Sequence, residues 1–164
     1  MPKASLVSNT SPLLYLGRIG YLNLLPGLFE TVLVPKQVAL ELDAGRLIRR
    51  DTIDPRSLDW IRLVAVPQSE LDTLPENWLG LGEQAVIAYA RKHRHATVAL
   101  DDLQARLFAR SLGLIVVGIV GILLRAKQAN LVPAVHPLLD ALHREGFYLH
   151  DAVHAEALRL AGEV

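Results

Sequence analysis

Four short apolar runs, separated by sequence of helical character, constrain the fold of this chain more than any other feature. They occupy residues 4–7, 31–34, 96–100 and 114–117. Apolar runs of this length, rich in Val and Leu, are typical of buried β-strands. Because strands that alternate with helices build parallel βαβ units, we expect an α/β fold: a three-layer α/β/α sandwich with a mainly parallel sheet.

The segments between the runs predict the helices of the two outer layers. After a cluster of turn residues, a helix should begin near Pro12, because proline is tolerated in a first helical turn. A short second helix over 21–25 should stop at Pro26. Further helices are predicted over residues 37–42, 83–93, 103–112, 120–129, 135–144 and 152–160.

Three less regular segments complete the chain. Residues 60–66 alternate between apolar and polar side chains, as an edge strand does. Residues 43–57 are polar, and we expect them to form a mobile connection. Residues 67–81 contain two prolines and predict a long loop. A length of 164 residues with 51% hydrophobic residues suits a single domain over 1–164, with residues 131–164 as a C-terminal helical extension.

Composition excludes several classes of protein. Seventeen basic and seventeen acidic residues leave no net charge, which argues against a long basic face for nucleic acid. The chain has no cysteine, so it forms neither disulfides nor thiolate zinc sites. The longest apolar run, 112–124, is shorter than the ~20 residues that span a bilayer, and the first residues predict a strand, not a signal peptide. We expect a cytoplasmic protein without a membrane segment.

Oxygen-bearing side chains follow several of the predicted strands. Asn9 follows the first strand, and Asp101 and Asp102 follow the strand over 96–100. Glu41 lies on the helix after the second strand, and Glu83 begins the helix that leads to residues 96–100. Parallel α/β sheets carry their sites at the carboxyl ends of the strands, where these side chains could meet. Carboxylate and amide oxygens suit hard cations such as Mg²⁺ or Mn²⁺.

Each of these residues also has a purely structural explanation. The helix dipole favours Glu83 in a first helical turn. Asp101 and Asp102 could cap the helix over 103–112, which is a common use of aspartate. Glu41 could lie on a solvated helix face, and Asn9 could be a turn residue. Taken singly, every one of the five favours its structural explanation.

Other candidate residues carry weaker signals. His136, His143, His150 and His154 could suggest a metal site, but only the last two are spaced four residues apart, so solvated or interface histidines are preferred. The basic cluster over 91–95 ends a helix, where cations complement the dipole. The serines near residue 8 have no base close in sequence, and the glycines over 118–121 do not form a dinucleotide motif.

The order of several short motifs resembles that of PIN domains, which include the VapC-type toxins of bacterial toxin–antitoxin pairs. The motifs are Ser8-Asn9-Thr10-Ser11-Pro12-Leu13, Pro35…Val38…Glu41, Gly82-Glu83…Ala88…Ala90 and Leu100-Asp101-Asp102…Ala105-Arg106. Residues 109–131, with the tail over 137–147, are similar to an uncharacterised group of short prokaryotic PIN-like proteins. The resemblance covers nearly the whole chain.

The resemblance implies a metal-dependent endoribonuclease that uses Mg²⁺ or Mn²⁺. Glu41, Glu83 and Asp101 match three acidic positions of the PIN metal cluster and would be the catalytic carboxylates. Asp102 would be an additional or alternative ligand beside Asp101. The first position of the cluster is usually aspartate and is Asn9 here, which departs from the family pattern because an amide is neutral. Its substrate would be RNA, and an antitoxin protein is a possible partner.

Three further expectations complete the sequence analysis. Arg46, Arg49 or Arg50 could steer the RNA backbone. A homodimer is expected from the apolar faces of the last two helices, which carry Leu138, Leu139, Leu142, Val153, Leu158 and Leu160. The alternative function is a catalytically weak RNA-binding or protein-interaction module, which Asn9 and the zero net charge favour. A nucleotide-binding protein ranks last, because no phosphate loop is present.

Overall fold

Five parallel strands form the central layer of the protein. The computed structural model describes residues 3–94 and 96–164. The strands are β1 Ser5–Ser8, β2 Val32–Pro35, β3 Ile61–Val64, β4 Ala96–Ala99 and β5 Ile115–Val117. They lie in the order β3-β2-β1-β4-β5, and every neighbouring pair is parallel. The expected parallel sheet is confirmed, and residues 61–64 form an edge strand as the alternation indicates.

Helices cover both faces of the sheet, which confirms the α/β/α architecture. The helices are α1 Thr10–Arg18, α2 Leu24–Leu28, α3 Lys36–Ile48, α4 Gln68–Leu71, α5 Leu81–Lys92, α6 Leu103–Ser111, α7 Ile119–Gln128, α8 His136–Arg144 and α9 Asp151–Ala161. A short 3₁₀ turn covers Pro55–Ser57. Helix α3 packs against α1 and α5, and α7 packs against α2 and α9.

The hydrophobic core explains why the strands are apolar without alternation. Every residue of β2 and of β4 is buried, because a parallel strand in the middle of a sandwich has a helix layer on each face. Leu6 and Val7 of β1 point to opposite faces of the sheet, and both are fully buried. One continuous cluster of buried side chains joins the sheet to helices on both sides.

The topology reverses direction beside β1. The chain moves outward from β1 through β2 to β3, and then returns to the other side of β1 with β4 and β5. Such a switch point opens a crevice at the carboxyl ends of the two central strands. Here those ends are Ser8 and Ala99, which lie directly opposite each other in the ladder. The crevice between them is the place to search for a functional site.

The expectation that residues 43–57 form a mobile connection is wrong in large part. Helix α3 continues to Ile48, and the 3₁₀ turn follows. Asp43 accepts two hydrogen bonds from Arg56, at 2.8 and 2.9 Å, and another from Arg46. The side-chain bonds from Arg56 and then Arg46 lower the pKa of Asp43 to about 2. The polar residues of this segment therefore bind each other, which sequence polarity alone does not reveal.

Two other local predictions also need correction. The second short helix does not stop at Pro26: α2 runs from Leu24 to Leu28, with Pro26 in its first turn, where the missing N–H is not needed. The loop over 67–81 contains α4.

In the basic cluster over 91–95, Arg91 donates a hydrogen bond to the Thr73 carbonyl and Lys92 pairs with Glu70, while His95 lies outside the described residues. Within the described residues, no helix is long and apolar enough to cross a membrane.

Of the two C-terminal helices, α8 places its apolar face in the core, whereas α9 remains largely exposed. Leu138, Leu139 and Leu142 of α8 are at most 5% exposed. In contrast, Val153 and Leu160 of α9 are exposed. The argument for a dimer that rests on an apolar face of α8 is therefore wrong, since those side chains are already covered within one chain.

Leu142 and Leu160 provide a matched test of this packing. Leu142→Ala should lower the free energy of unfolding by about 2–5 kcal/mol, because it leaves a cavity under α8. Leu160→Ala should change it by no more than about 0.5 kcal/mol, because that side chain is 56% exposed. Urea denaturation followed by circular dichroism measures both values. Equal, small effects would show that α8 does not pack as described.

Candidate metal centre at the carboxyl end of the sheet

Backbone pairing between the central strands places Asn9 beside the end of β4. The Asn9 N–H donates to the Ala99 carbonyl at 3.1 Å, which extends the β1–β4 ladder by one residue. Asn9 is 8% exposed, and its side-chain Oδ1 is buried without a hydrogen-bond partner. Asp101 follows β4 by two residues. Asn9 and Asp101 therefore come from the two strands that flank the switch point.

Glu41 joins three helices at the edge of this crevice. Its Oε1 accepts a hydrogen bond from the Gly82 N–H at 3.0 Å, and its Oε2 accepts one from the Thr10 hydroxyl. Gly82 lies in the first turn of α5, where backbone N–H groups have no partner within the helix and favour a negative charge. The carboxylate of Glu41 is thereby fixed by α1 and α5, although it belongs to α3.

Gly82 is required for this approach of the Glu41 carboxylate. A Cβ at position 82 would lie 2.5 Å from Glu41 Oε1 and 2.9 Å from Oε2. Atoms do not approach that closely without displacement, so any side chain here would move the carboxylate. The glycine therefore serves the position of Glu41, and Gly82 itself is buried.

Glu83 lies in the first turn of α5, as the sequence predicts, but it has an unexplained oxygen. Its Oε2 is buried and has no hydrogen-bond partner. Burial raises the pKa of Glu83, and the nearby charges of Asp102 and Glu41 raise it further. The repulsion shows that these three carboxylates share one region. The helix dipole alone does not account for a buried, unpartnered carboxylate oxygen.

Asp101 is held at the start of α7 and not at the start of α6. Its Oδ1 accepts a hydrogen bond from the Ile119 N–H at 2.9 Å, whereas its Oδ2 is buried without a partner. Burial raises the pKa of Asp101 to about 6, although the Ile119 N–H and the charge of Arg106 both act to lower it. A Cβ at Gly118 would come within 3.1 Å of Asp101 Oδ1, so a glycine leaves room for this carboxylate.

Asp102 has the structural role expected of an N-cap. Its Oδ2 accepts a hydrogen bond from the Ala105 N–H at 2.9 Å at the start of α6. The residue is exposed and lines the mouth of a cleft of about 600 Å³, together with Glu83, Trp78, Gln104 and Phe108. Asp102 lies close enough to Glu83 for its charge to raise the pKa of Glu83. Its role as an additional metal ligand remains a prediction.

Three of the proposed ligand side chains carry a buried acceptor oxygen that has no hydrogen-bond donor. These oxygens are Asn9 Oδ1, Glu83 Oε2 and Asp101 Oδ2. Buried acceptors in proteins nearly always have partners, and each unpartnered one costs about 1–3 kcal/mol. A hard divalent cation satisfies oxygen acceptors and neutralises their repulsion. The residues present therefore fit a Mg²⁺ or Mn²⁺ ion.

The acidic side chains are spread open in this structure. Across residues 3–94 and 96–164, three histidine or carboxylate ligand atoms lie within 4.8 Å of one another only in another part of the fold. Glu41, Glu83, Asp101 and Asp102 therefore do not form a closed ligand set.

Two residues near the centre escaped the sequence analysis as individual candidates. Thr10 directly follows Asn9, and its hydroxyl holds Glu41. Arg106 lies on α6, and its charge acts on Asp101, while its Nε is buried without a partner. Both belong to the motifs that carried the family resemblance, and that placement is the only signal that could have identified them.

The three arginines that were expected to steer RNA differ in availability. Arg46 donates to the Ile53 carbonyl and to Asp43. Arg49 pairs with Asp51 and Glu145. Arg50 is exposed and forms no side-chain hydrogen bond with the residues that the structure describes. Two of the three guanidinium groups are therefore already engaged within the chain.

A family model described as a PIN domain, DUF3368, matches residues 5–163. The chain therefore belongs to the PIN-domain family. PIN domains have a nuclease-type fold and generally use divalent metals, in agreement with the oxygen-rich crevice. No curated protein matches this chain.

The pKa of Asp101 predicts a pH-dependent effect on stability. Burial raises this pKa from 3.8 to about 6, so the folded chain holds the proton more tightly than the unfolded chain. The resulting stabilisation is complete below about pH 4 and is lost as the pH rises through about 6. Asp101→Asn, which keeps an acceptor for the Ile119 N–H, should therefore stabilise the metal-free protein at pH 7 by about 1–3 kcal/mol.

Urea denaturation in EDTA at pH 4 and pH 7 measures this difference. The gain from Asp101→Asn should become small at pH 4, where Asp101 is protonated in the folded chain and partly protonated in the unfolded chain, in which its pKa is 3.8. A variant that loses stability at pH 7 would show that the attraction between Asp101 and Arg106 outweighs the cost of burial.

Gly82→Ala tests the position of Glu41. The new methyl group should displace the flexible end of Glu41 and break its bond to the backbone, so Mn²⁺ affinity should fall while unfolding free energy changes by less than about 1 kcal/mol. Gly45→Ala in α3 is the matched control, since its Cβ would lie at an ordinary 3.5 Å from Thr52 Cγ2. Isothermal titration should show unchanged Mn²⁺ affinity for the control. Equal Mn²⁺ affinities for both variants would show that the Glu41 carboxylate does not contribute to metal binding.

Proposed function

We propose that this PIN-domain protein is a divalent-metal-dependent endoribonuclease, a hydrolase that acts on phosphodiester bonds. The observation that carries the proposal is the group of buried acceptor oxygens without donors on Asn9, Glu83 and Asp101. Asn9 and Asp101 follow the two strands that flank the switch point of the sheet, where α/β proteins bind their ligands.

The residues of the chain have distinct roles in this proposal. Asn9, Glu83 and Asp101 supply buried ligand oxygens, and Asp102 adds an exposed carboxylate at the mouth of the cleft. Glu41 is oriented by the Thr10 hydroxyl and the Gly82 N–H. A bound Mg²⁺ or Mn²⁺ would supply Lewis acidity for the attack of water on the phosphodiester. The ligands are ionised when the cation binds, so affinity should fall as Asp101 becomes protonated below about pH 6.

RNA would reach the centre through the cleft that Trp78, Phe108 and Asp102 line. Trp78 is 96% exposed, and a base can stack on such a surface without sequence preference. Among the arginines proposed as RNA contacts, Arg50 has no internal partner in the described part of the chain, whereas Arg46 and Arg49 would exchange ion pairs for phosphates. Arg50 is therefore the first of the three to test.

We further propose that the protein acts in the cytoplasm as the toxin of a toxin–antitoxin pair. The resemblance to VapC-type PIN domains supports this role. A small reading frame next to the gene would encode the antitoxin. Co-expression of the two should relieve growth arrest caused by this chain alone, and an adjacent frame whose product neither binds nor relieves arrest would contradict the pairing.

A homodimer remains part of the proposal, on a reduced basis. The exposed apolar residues Val153 and Leu160 of α9 still support it, whereas the buried leucines of α8 do not. Helix α3 offers other exposed apolar side chains, Leu40, Leu47 and Ile48. Light scattering at micromolar concentrations should give twice the mass of one chain. A monomer at every concentration would exclude the dimer.

Substitutions at Asn9 give the most direct test of the nuclease proposal. Asn9→Asp should raise Mn²⁺ affinity and Mn²⁺-dependent cleavage of a mixed RNA pool, because a carboxylate adds a full charge where an amide offers a dipole. Asn9→Ala should lower both. Glu83→Gln should also lower both and, by removing repulsion from Asp102 and Glu41, should leave the metal-free fold intact. Glu30→Gln, a change at an exposed carboxylate remote from the crevice, is the control.

The same experiment separates the nuclease from the alternative function. If the parent and both Asn9 variants bind no Mn²⁺ and cleave no RNA at any metal concentration, the nuclease proposal fails. A catalytically weak RNA-binding or protein-interaction module would then replace it. The neutral Asn9 and the zero net charge of the chain are the features that favour this alternative.

A further inference from the structure

A second group of potential metal ligands lies in the C-terminal helices. His136 and Asp140 are one turn apart on α8, and His154 lies on α9. Each offers a ligand atom, and these atoms all lie within 4.8 Å of one another. The His136 and His154 rings meet edge to face with centroids 5.9 Å apart, and His136 Nε2 lies 3.6 Å from Asp140 Oδ2.

We propose that His136, Asp140 and His154 bind Zn²⁺, or a similar transition-metal cation, and so join α9 to α8. Two imidazoles and one carboxylate are a ligand set that Zn²⁺ commonly takes, with water in a remaining position. His136 and Asp140 are about half exposed, so water has access to that position. An ion pair between residues four apart would explain Asp140 and His136, but it does not explain why His154 arrives from another helix.

The ligand chemistry separates this site from the crevice at the end of the sheet. Imidazole nitrogens favour Zn²⁺, Co²⁺ and Ni²⁺, whereas Asn9, Glu83 and Asp101 offer only oxygens, which suit Mg²⁺ and Mn²⁺. The zinc proposal does not depend on nuclease activity, because none of its ligands takes part in the proposed reaction. Excess Mg²⁺ can therefore be used to occupy the crevice while Zn²⁺ is titrated.

The surroundings indicate what the cation would do for the fold. Within α9 only Ala157 is buried, so the helix has little apolar attachment. Its end is secured by Glu163, which accepts hydrogen bonds from the Val135 and His136 N–H groups at 2.7 and 2.9 Å and pairs with Lys127 of α7. The proposed site would add a second attachment closer to the start of α9. Zn²⁺ should therefore stabilise the C-terminal helices.

The test uses the full-length, untagged protein after dialysis against EDTA. Zn²⁺ is titrated calorimetrically in excess Mg²⁺, and Co²⁺ is added separately to record visible absorption bands, whose intensity reports four- or five-coordinate binding. The variants are His136→Ala and His154→Ala. The control is His143→Ala, which changes an exposed histidine of α8. Asp101→Asn reports any Zn²⁺ held in the crevice. Circular dichroism confirms that each variant is folded.

We expect the parent and His143→Ala to bind Zn²⁺ equally and to gain in melting temperature. His136→Ala and His154→Ala should bind at least about tenfold more weakly and should lose the Co²⁺ spectrum and the gain in melting temperature. The proposal is overturned if the parent binds no Zn²⁺ in excess Mg²⁺. It is equally overturned if the His136 and His154 variants bind as the parent does, or if Asp101→Asn alone abolishes binding.

Discussion

The parallel pairing of β1 with β4 is the constraint on which the site depends. It sets Ser8 against Ala99 and continues through the Asn9 N–H to the Ala99 carbonyl. Residues that are about ninety positions apart in sequence therefore emerge side by side at one edge of the sheet. A slip of one residue in this ladder would turn every side chain of β1 to the opposite face. Leu6 and Val7 differ in size and each is fully buried on its own face, so such a slip would disrupt the close packing on both faces. The core that stabilises the fold therefore also fixes the position of the site.

The electrostatics of the crevice depend on backbone groups more than on side-chain cations. Glu41 and Asp101 each accept a hydrogen bond from an N–H in the first turn of a helix, from Gly82 in α5 and from Ile119 in α7. Arg106 is the nearby cation that lowers the pKa of Asp101, yet burial still raises that pKa to about 6. The helix starts hold the carboxylates in place without neutralising them. The negative charge that remains is what a divalent cation requires of its site.

Sequence reasoning succeeded where a residue is determined by its neighbours along the chain. The apolar runs predict the strands and their burial, and the turn residues that follow them place Asn9 after β1 and Asp101 after β4. It failed where partners are remote. Residues 43–57 were expected to be mobile, but Arg56 donates two hydrogen bonds to Asp43 and orders this segment. The hydrogen bond from the Thr10 hydroxyl to Glu41 joins residues 31 positions apart in sequence, and no local pattern specifies it.

The histidines show the same limit most clearly, because sequence spacing singled out His150 and His154, whereas the structure brings His154 to His136. His150 and His154 are four residues apart, but His150 caps α9 through Nδ1, which accepts from the Ala152 N–H. His154 instead meets His136, because α9 packs back along α7 and its tail residue Glu163 binds the start of α8. An i, i+4 rule describes one helix, whereas a ligand set across two helices depends on how they pack. A ligand set of the kind proposed for His136, Asp140 and His154 is therefore visible only once tertiary packing is known, although each of the residues can be read from the sequence.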